Sequence, residues 1–314
     1  MSAAAVTVVV VTYNHERYIT RAIRSILDQD APFTVDVVVL DDCSTDGTVA
    51  ELERLAARRP GRFTVRQPPV NRNDHQDFAA SLDAAATPYL AMLDGDDYWT
   101  SPTKLATQVE FLERHPECAL SFHPVQRVDD DDRPLPDLPG PMWDRPFGVR
   151  DDLWRGCFLQ AGSVVFRRAA YDRLPGWYQR SVFGDWELYT ILTRRGDLGF
   201  LPERMSAYRV HGGGAWTGRP PVHRARQVEA FYDLMADIEG RPFRRNRAAT
   251  LSRAFSLAYW YGEAGAPFRA WRWGAAAAVR ALAHRPGPHA PSRGEVRDLL
   301  RRQLRRGHSG DPVS

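Results

Sequence analysis

Continuous apolar runs alternate with helical periodicity through the first 125 residues. Val6 to Val11 is a run of β-branched residues, as expected for a strand that is covered on both faces. Similar runs recur at Val35 to Leu40 and at Tyr89 to Leu93, with apolar residues at helical spacing between them. Strands that alternate with helices in this way form β-α-β units. The pattern therefore predicts an α/β protein with a mostly parallel sheet flanked by helices.

Weaker signals predict the remaining elements up to residue 220. The helix after residue 100 is expected to begin with Ser101 as its N-cap and Pro102 at its first helical position, and to end near residue 115. The other predicted elements are, in chain order, a helix at 19–27, a helix from about residue 48, a short strand at 63–65, a helix at 78–86, a strand at 119–122, a strand at 163–166 and a helix at 186–195.

Two stretches of the chain depart from this pattern. Residues 129–150 contain four consecutive aspartates and five prolines without any period, which predicts a long loop. Such a loop is either functional or a solvated surface insertion, and both interpretations stay open. From about residue 221 onward the sequence predicts only helices, most clearly over 275–283. We therefore expect an α/β part, residues 1–220, and a helical C-terminal extension, residues 221–314.

The formal net charge of +3 conceals an uneven distribution. Residues 241–314 hold 15 of the 42 basic residues but only four acids, a net charge of about +11. The first 240 residues therefore carry a net charge of about −8. An acidic front part and a basic tail are expected to meet different partners.

The composition of the chain is that of a globular protein. Hydrophobic residues make up 43% and charged residues 26%, which is typical of globular proteins. No window reaches the roughly 18 consecutive apolar residues of a membrane span, and the N-terminus lacks the basic region of a signal peptide. Cys43, Cys118 and Cys157 are widely spaced and include no CxxC pair, which argues against disulfides and zinc. The expectation is a soluble cytoplasmic protein.

Acidic clusters directly follow two of the predicted strands. Asp41 and Asp42 come after the second strand, and Asp94, Asp96 and Asp97 come after the run that ends at residue 93. Open parallel sheets bind ligands at the carboxyl ends of their strands. Aspartates there also serve as turn and N-cap residues, and this structural interpretation fits either cluster taken alone.

The second cluster brings three carboxylates together, and these repel one another unless a cation or hydrogen-bond donors compensate their charge. Oxygen ligands favour a hard ion such as Mg²⁺ or Mn²⁺, which typically bridges to substrate phosphates. The sequence has no GxxxxGK[ST] loop and no GxGxxG after the first strand, so P-loop and dinucleotide sites lose their main support. A diphosphate held through a carboxylate-bound metal is the economical interpretation.

Five segments resemble family 2 glycosyltransferases, which have the GT-A fold. In chain order they are VVVVTYN from Val8, VLDDCSTDGT from Val39, LDGDD from Leu93, GDWEL from Gly184 and YRVH from Tyr208. The third is similar to the family's Asp-x-Asp signature. The resemblance spans roughly residues 5–215. It implies a twisted, Rossmann-like sheet, with a nucleotide-binding half at 1–125 and an acceptor and catalytic half at 126–220.

The resemblance also implies the activity, which is the inverting transfer of a sugar from a nucleoside-diphosphate sugar to a hydroxyl of a glycan, a lipid-linked or a small-molecule acceptor. In the nucleotide site, Thr12 and Tyr13 would line the base pocket. Asp42 would hydrogen-bond the base, and Asp94 would lie near the ribose.

The resemblance assigns metal binding and proton transfer to other positions of the same motifs. Asp96 and Asp97 would bind Mn²⁺ or Mg²⁺ on the diphosphate, and His211 would add a metal or diphosphate contact. A loop histidine without a ligand is the alternative for His211. Asp185 would be the catalytic base, which takes the proton of the acceptor hydroxyl, and an N-cap is its structural alternative.

Two departures from the family pattern concern individual positions. Gly184 stands where the family often has an acid before the base. The family's usual Arg-Asn pair falls at Phe78 and Ala79, so the nucleotide is open between UDP, dTDP and GDP. Arg66 or Arg72 would have to substitute for the missing arginine.

Aromatic residues indicate where an acceptor would lie. Trp186, Glu187 and Trp216 are the candidate acceptor contacts, because the first two flank Asp185 and the third follows the glycines after His211. In the tail, arginines accompany several tryptophans. This composition suits peripheral contact with an anionic membrane at its inner face, and it equally suits a helical hairpin packed on the catalytic domain. Nothing in the tail resembles a nucleic-acid recognition motif.

Two other functions compete with glycosyl transfer. A sugar nucleotidyltransferase has a related fold, but it should open with a glycine-rich loop, and residues 11–15 do not form one. A degenerate scaffold that only binds a sugar or a partner is the other alternative, and intact Asp96 and Asp185 argue against it.

Overall fold

The computed structural model describes residues 4–71, 75–138, 145 and 147–282. Its strands are β1 (Ala4–Thr12), β2 (Thr34–Asp41), β3 (Thr64–Arg66), β4 (Tyr89–Asp94), β5 (Tyr98–Trp99), β6 (Cys118–Phe122), β7 (Gln126–Val128), β8 (Phe147–Gly148), β9 (Val165–Arg167), β10 (Asp197–Phe200) and β11 (Ser206–Arg209). Its helices are α1 (Ile19–Leu27), α2 (Thr48–Arg58), α3 (Gln76–Ala84), α4 (Lys104–Arg114), α5 (Arg150–Leu153), α6 (Asp185–Leu192), α7 (Pro221–Ile238), α8 (Arg241–Arg245), α9 (Arg247–Glu263) and α10 (Pro267–Leu282).

The central sheet has eight strands within the described residues, in the order β3-β2-β1-β4-β9-β6-β10-β8. Six strands are parallel, whereas β9 is antiparallel to β4 and β6, and β8 is antiparallel to β10. Strands β5, β11 and β7 form a small second sheet. The predicted α/β fold with a mostly parallel sheet is confirmed.

Strand β1 occupies the position where the strand order reverses. Its neighbours are β2, which follows it in sequence, and β4, which the chain reaches only after β3 at the sheet edge. Open α/β sheets bind ligands in the crevice beside such a switch point. The carboxyl ends of β1, β2 and β4 therefore define the region where a site is expected.

The core forms where the apolar run of β1 meets its covering helix. Val6, Val8 and Val10 are fully buried, and Ile19 and Ile23 on the inner face of α1 are fully buried in the same cluster. Burial of an aliphatic side chain of this size stabilises the fold by about 1.5–3 kcal/mol. The register of β1 is therefore fixed, which in turn fixes the residues at its carboxyl end.

The predicted start of α4 is wrong by two residues. The helix begins at Lys104, after a turn in which Ser101 Oγ accepts a hydrogen bond from Thr103 N at 3.3 Å. The backbone there is tied to the loop after α1, because Pro102 O accepts a hydrogen bond from Asp30 N at 2.7 Å. That tertiary contact, which the local pattern does not contain, holds Ser101 and Pro102 outside the helix.

Residues 129–150 are only partly described. Val128 forms a bridge with Pro134, and Phe147 pairs with Gly199 of β10. The prediction of one continuous loop is wrong over residues 147–150, because β8 and the start of α5 lie there. Residues 139–144 and 146 lie outside the described residues, so the prediction is not tested there.

By its contacts the chain divides into two compact units. The first holds residues up to 150 together with 157–211, and the second holds 151–156 and the residues from 212 onward. The predicted division at residue 220 thus differs from the boundary at 211/212. Segment 212–220 belongs with the helices because Arg224 of α7 donates a hydrogen bond from Nε to Trp216 O at 3.0 Å.

The second unit is helical in its described part and has its own core. Buried Trp154 packs edge-on against Phe243 of α8, and Tyr232 of α7 donates a hydrogen bond to Trp154 O. Helix α10 covers the predicted helix 275–283 up to residue 282. Among the described helices, none combines the length and apolarity that crossing a bilayer requires.

Candidate active site

The loops after β1 and β2 are bonded to each other at the carboxyl edge of the sheet. Asn14 adopts a positive φ of 56°. Its backbone N–H donates to Ser44 Oγ at 2.8 Å, and its side-chain Oδ1 accepts from Thr45 N at 2.7 Å. Asparagine is one of the few residues that adopt this backbone conformation at low cost. Hydrogen bonds between the two loops therefore hold this edge of the sheet together.

The two aspartates that follow β2 have different roles. Asp41 is fully buried, and its carboxylate accepts hydrogen bonds from Ser44 N at 3.0 Å and Gln67 Nε2 at 2.9 Å. Asp42 is partly exposed at the strand end. Of the pair, Asp42 is the carboxylate that solvent can reach, and its role as the base contact stays a prediction.

Thr12 and Tyr13, the other predicted base-pocket residues, differ in exposure. Tyr13 is 44% exposed, whereas Thr12 is buried and its Oγ1 lies 3.2 Å from His15 Nδ1. The turn after β4 passes close above Thr12: a Cβ at Gly95 would lie 2.5 Å from Thr12 Oγ1. Gly95 is therefore required for the acidic turn to pack onto β1, and Thr12 supports that turn from below.

The acidic turn 94–97 carries carboxylates with opposed pKa shifts. Burial, followed by the charges of Asp96 and Asp185, raises the pKa of Asp94 to about 8. Burial, followed by the charges of Asp96 and Asp94, raises the pKa of Asp97 well above its ordinary value. Asp97 Oδ1 nevertheless accepts a hydrogen bond from Arg209 N at 2.7 Å, which ties the turn to β11.

Asp96 is the carboxylate that stays ionised. Burial alone would raise its pKa, but the hydrogen bond with His211 and the charges of His15 and His211 outweigh burial and lower it. His211 Nε2 lies 2.9 Å and His15 Nε2 3.7 Å from Asp96 Oδ2. The structure thus brings together Asp96 and His211, which were predicted as metal residues, and adds His15.

His15 was missed by the sequence interpretation. Its signal was its place in the turn directly after β1, at the same edge as the acidic cluster. The hydrogen bond between its Nδ1 and Thr12 Oγ1 orients the ring and leaves Nε2 directed at Asp96. A histidine held by its second nitrogen in this way is the usual arrangement of a metal ligand.

Two overlapping groups fit a metal ion. The ligand atoms of His15, Asp96 and His211 all lie within 4.8 Å of one another, and so do those of Asp94, Asp96 and Asp97. Crowded carboxylates with raised pKa values are the groups whose charge a cation would compensate. These histidine and carboxylate side chains therefore suit a divalent ion.

Asp185 begins α6 on the same side of the sheet, and its charge contributes to the raised pKa of Asp94. Burial, followed by the charge of Glu187, raises the pKa of Asp185 to about 7. The N-cap is Gly184, so the N-cap alternative for Asp185 does not hold. A carboxylate with a pKa near 7 is suited to act as a general base.

Glu187, predicted as an acceptor contact, has a different role in the structure. It is fully buried, and its carboxylate accepts hydrogen bonds from Val182 N at 2.7 Å and Gly184 N at 3.1 Å. These bonds close the first turn of α6. Glu187 thereby fixes the helix start that presents Asp185, and burial keeps it from an acceptor.

The two tryptophans predicted as acceptor contacts belong to different units of the chain. Trp186 is 6% exposed and packs against Phe183 at 5.4 Å between ring centroids. Trp216 belongs to the helical unit and packs edge-on against Trp260 at 5.5 Å. Both rings therefore have packing partners within their own units.

Gly184 explains one departure from the family pattern. Its φ of +81° is a conformation that side-chain-bearing residues rarely adopt, and a Cβ there would lie 2.7 Å from Cε1 of His75. An acid at this position is excluded by both strain and space.

The second departure from the family pattern is the missing Arg-Asn pair, which concerns helix α3. Phe78 and Ala79 lie in this helix, where the family's Arg-Asn pair would fall. Arg66 of β3 contacts the same helix through Ser81 Oγ at 3.5 Å. Arg72, the other substitute that we considered, lies outside the described residues.

The family model for glycosyl transferase family 2 matches residues 7–174. The chain belongs to this family. An uncharacterized protein of Mycobacterium tuberculosis is 38% identical over 211 residues, which cover 67% of this chain and 60% of the relative. The family 2 chain described here therefore spans about 60% of the length of that relative.

Solved structures with the same fold extend over almost the whole family 2 chain. TarS of Staphylococcus aureus, residues 1–349 in complex with UDP-GlcNAc, matches with a TM-score of 0.58 at 18% identity and covers 99% of this chain and 93% of that one. The mannosyltransferase PcManGT of Pyrobaculum calidifontis, in complex with GDP-Man and Mn²⁺, matches with a TM-score of 0.60 at 18% identity and covers 99% and 89%. At this identity the likeness establishes the GT-A fold.

Replacing Gly184 by alanine is expected to displace Asp185. The added methyl group meets His75 and forces a strained φ, at a cost of about 1–3 kcal/mol. Thermal unfolding and nucleotide-sugar turnover measure the two consequences. Gly176→Ala is the matched control, because nothing lies within 4 Å of a Cβ there. Equal behaviour of the two variants would show that the backbone at Gly184 does not constrain the site.

Asp185→Asn is expected to stabilise the metal-free protein at pH 8. The carboxyl has a pKa of about 7 in the folded protein, compared with an ordinary value of 3.8. Between about pH 4 and pH 7 the folded state therefore binds a proton that the unfolded state has lost. Its contribution to stability therefore falls as the pH rises through that window. Asparagine does not titrate, so a gain in Tm of about 2–6 °C should appear at pH 8 and vanish near pH 4.

The control for that experiment is Asp172→Asn. The hydrogen bond and charge of Arg195 hold the pKa of Asp172 below its ordinary value, so this substitution should leave Tm unchanged or lower it at pH 8. A Tm of Asp185→Asn that does not rise relative to the wild type at pH 8 would contradict the raised pKa.

Proposed function

We propose that this family 2 protein is a metal-dependent inverting glycosyltransferase, which moves a sugar from a nucleoside-diphosphate sugar to an acceptor hydroxyl in glycan biosynthesis. The observation that carries the proposal is the meeting, at one sheet edge, of the Asp96 and histidine cluster with Asp185. A cation site beside a carboxylate of raised pKa supplies the two functions that such a transfer needs. The site that would hold the leaving diphosphate thus lies next to a base for the attacking hydroxyl.

The nucleotide would bind across the ends of β1 and β2. Tyr13 is exposed there and Asp42 is the accessible carboxylate, which suits stacking on a base and hydrogen bonding to it. Asp94, at the end of β4, would lie near the ribose, and Thr12 would support the pocket from beneath. The solved relatives hold UDP-GlcNAc and GDP-Man, so uridine and guanosine nucleotides are the donors to test first.

The metal would be held by Asp96 and His211, with His15 and Asp97 as the further candidates. A set that mixes imidazole with carboxylate fits Mn²⁺ better than Mg²⁺, which strongly prefers oxygen ligands. The bound ion would neutralise the charge that develops on the leaving diphosphate. PcManGT, which shares the fold, is in complex with Mn²⁺.

Asp185 would remove the proton of the acceptor hydroxyl while its oxygen attacks the anomeric carbon. The new carbon–oxygen bond forms as the bond between that carbon and the diphosphate oxygen breaks on the opposite face. Glu187 holds the start of α6 and so keeps Asp185 in position. Attack from the face opposite the diphosphate inverts the anomeric configuration.

Acceptor identity stays open between a glycan, a lipid-linked sugar and a small molecule. Trp186, next to Asp185, remains a candidate acceptor contact through the small part of its ring that is exposed. Trp216 remains a candidate in the helical unit. We assign Glu187 to positioning and not to the acceptor.

Contact with an anionic membrane at the inner face is supported by α10. Phe268 and Trp271 are 75% and 58% exposed, and their rings stack at 6.4 Å between centroids. The helix carries three arginines and no acid. Exposed aromatic rings among arginines are typical of surfaces that bind in the interface of anionic lipids. A cytoplasmic enzyme that reaches a membrane-bound acceptor accounts for this surface.

The proposal predicts nucleotide binding and transfer that depend on Mn²⁺. UDP or GDP should raise the Tm of the wild type in the presence of Mn²⁺ and much less without it. Asp96→Ala should abolish this Mn²⁺-dependent shift. Asp185→Asn should keep the shift but lower transfer by about 100-fold or more, because only the proton acceptor is lost. Asp172→Asn is the control outside the site.

Turnover should also fall with decreasing pH. Because Asp185 has a pKa of about 7 and acts as a base, kcat/KM should drop about tenfold per pH unit below that value. If kcat/KM fell only near pH 4, or if Asp185→Asn kept near-wild-type transfer, the assignment of Asp185 as the base would be contradicted. Absence of any Mn²⁺-dependent nucleotide binding would favour the degenerate scaffold.

The membrane contact predicts vesicle binding that depends on charge and on the two exposed rings. Sedimentation with phosphatidylglycerol-containing vesicles should recover the wild type, whereas phosphatidylcholine vesicles should not. Replacing Phe268 and Trp271 by alanine should weaken binding about tenfold. Val222→Ala, at an exposed apolar residue of α7, is the control. Equal binding of the double variant and the control would exclude α10 as the contact.

A further inference from the structure

The four consecutive aspartates at 129–132 form an ordered turn. Asp129 Oδ1 accepts hydrogen bonds from Asp131 N and Arg133 N, both at 2.9 Å, and Leu135 N returns to Arg127 O at 2.9 Å. Asp132 adopts a positive φ of 64°. We call residues 129–132 the acidic hairpin. Asp130, Asp131 and Asp132 are exposed, yet the hairpin also bonds buried groups of the fold, so this part of the long loop lies at the surface and is tied to the interior.

Arg209 connects the acidic hairpin to the candidate metal site. Its side chain is 3% exposed. One end of the guanidinium donates to Asp132 Oδ1 at 2.7 Å and to Asp129 O at 2.8 Å, while Nε donates to Asp96 O at 3.0 Å. Its backbone N–H donates to Asp97 Oδ1 at 2.7 Å. A single buried arginine therefore bonds both the hairpin and the acidic turn, two residues before His211.

Tyr18 provides a second connection between the same two regions. Its hydroxyl donates to Asp130, and its ring lies 4.6 Å from the Arg209 guanidinium and 5.1 Å from the centroid of the His211 ring. The ring of His15 lies 6.4 Å away. Both histidines that approach Asp96 thus pack against a tyrosine that the acidic hairpin holds.

We propose that the acidic hairpin is the outer support of the metal site, with Asp132 acting through Arg209 and Asp130 acting through Tyr18 to position Asp96, Asp97 and His211. The chemical reason is that a buried guanidinium needs several acceptors, and only an arginine whose fork is fully bonded can hold the acidic turn in one place. The hairpin supplies those acceptors. Asp132 and Arg209 are positioning residues in this account, since they act on the acidic turn through hydrogen bonds and are not among the candidate metal ligands.

The proposal rests on the proposed metal dependence and goes beyond it by assigning a role to the acidic hairpin and Tyr18, which lie outside the family motifs, and to Arg209 of the YRVH segment. Removing groups that orient metal ligands typically lowers metal affinity 10–100-fold. We therefore expect loss of metal affinity with little change in kcat once Mn²⁺ is saturating. A purely structural hairpin would lower thermal stability without selectively changing Mn²⁺ affinity.

The test compares Asp132→Asn with Asp131→Asn in the full chain. Asparagine tolerates the positive φ of Asp132, so the substitution removes the charge without straining the turn. Asp131 lies next to it and pairs with Arg133 at 3.0 Å, which makes its substitution a control for the loss of one negative charge near the site. Electron paramagnetic resonance of free Mn²⁺ gives the Kd directly, first with Mn²⁺ alone and then with UDP or GDP added.

Asp132→Asn should raise the Kd for Mn²⁺ about tenfold or more relative to Asp131→Asn. Arg209→Lys keeps the charge but cannot make the same set of bonds, so it should raise the Kd at least as far. Equal Kd values for Asp132→Asn and Asp131→Asn would overturn the proposal. If the wild type itself does not bind Mn²⁺ in any condition, the proposed function fails instead, and the two failures are distinguishable.

Discussion

Several carboxylates share one edge of the sheet, and the electrostatic cost of holding them there is the constraint on which the rest of the site depends. Asp94, Asp97 and Asp185 all have a raised pKa because they are buried near other acids. Asp96 alone has a lowered pKa, because two histidines lie beside it. An arrangement of this kind is strained without a cation, and it becomes favourable when one binds.

The protein stabilises this edge with backbone groups and a second layer of side chains. Gly95 lets the acidic turn pass over Thr12, and Gly184 lets α6 begin where Asp185 reaches the same region. Buried Arg209 bonds the acidic turn from behind, and buried Glu187 closes the first turn of α6. Preorganised groups of this kind lower the cost of reorganisation during a reaction. The positions that support the site therefore tolerate as few residue types as the positions expected to react.

Membership of glycosyl transferase family 2 and the GT-A fold agree with this geometry. The regions expected to select the acceptor are different ones. Three of the five family-like segments lie at the ends of β1, β2 and β4, where we propose that the donor binds. The acidic hairpin, α10 and the other helices of the second unit lie outside those motifs. Differences in acceptor and cellular location among proteins with this shared fold are expected to arise in such regions, because loops and appended units change without disturbing the sheet.

Local patterns in the sequence determined the strands, the helices and the edge at which the acids gather. Runs such as Val6 to Val11 have only one way to be buried, so they fix the sheet and place the residues that follow each strand. Asp96 could be proposed from its place in an acidic cluster after such a run, whereas His211 and Asp185 were proposed from the resemblance to family 2, and their roles stay predictions.

Tertiary structure decided what each of these polar groups contacts. Asp41 and Asp42 are neighbouring aspartates that the sequence pattern does not distinguish. In the structure Asp41 is buried and bonded within its own loop, whereas Asp42 is accessible to solvent. His15 approaches Asp96 from the loop after β1, and Arg209 bonds Asp96 from a position 113 residues further along the chain. The acidic hairpin in turn bonds Arg209, and the carboxylate of Glu187 is bonded to the start of its own helix. Hydrogen bonds and charge interactions between distant segments depend on three-dimensional distance, which periodicity along the chain does not encode.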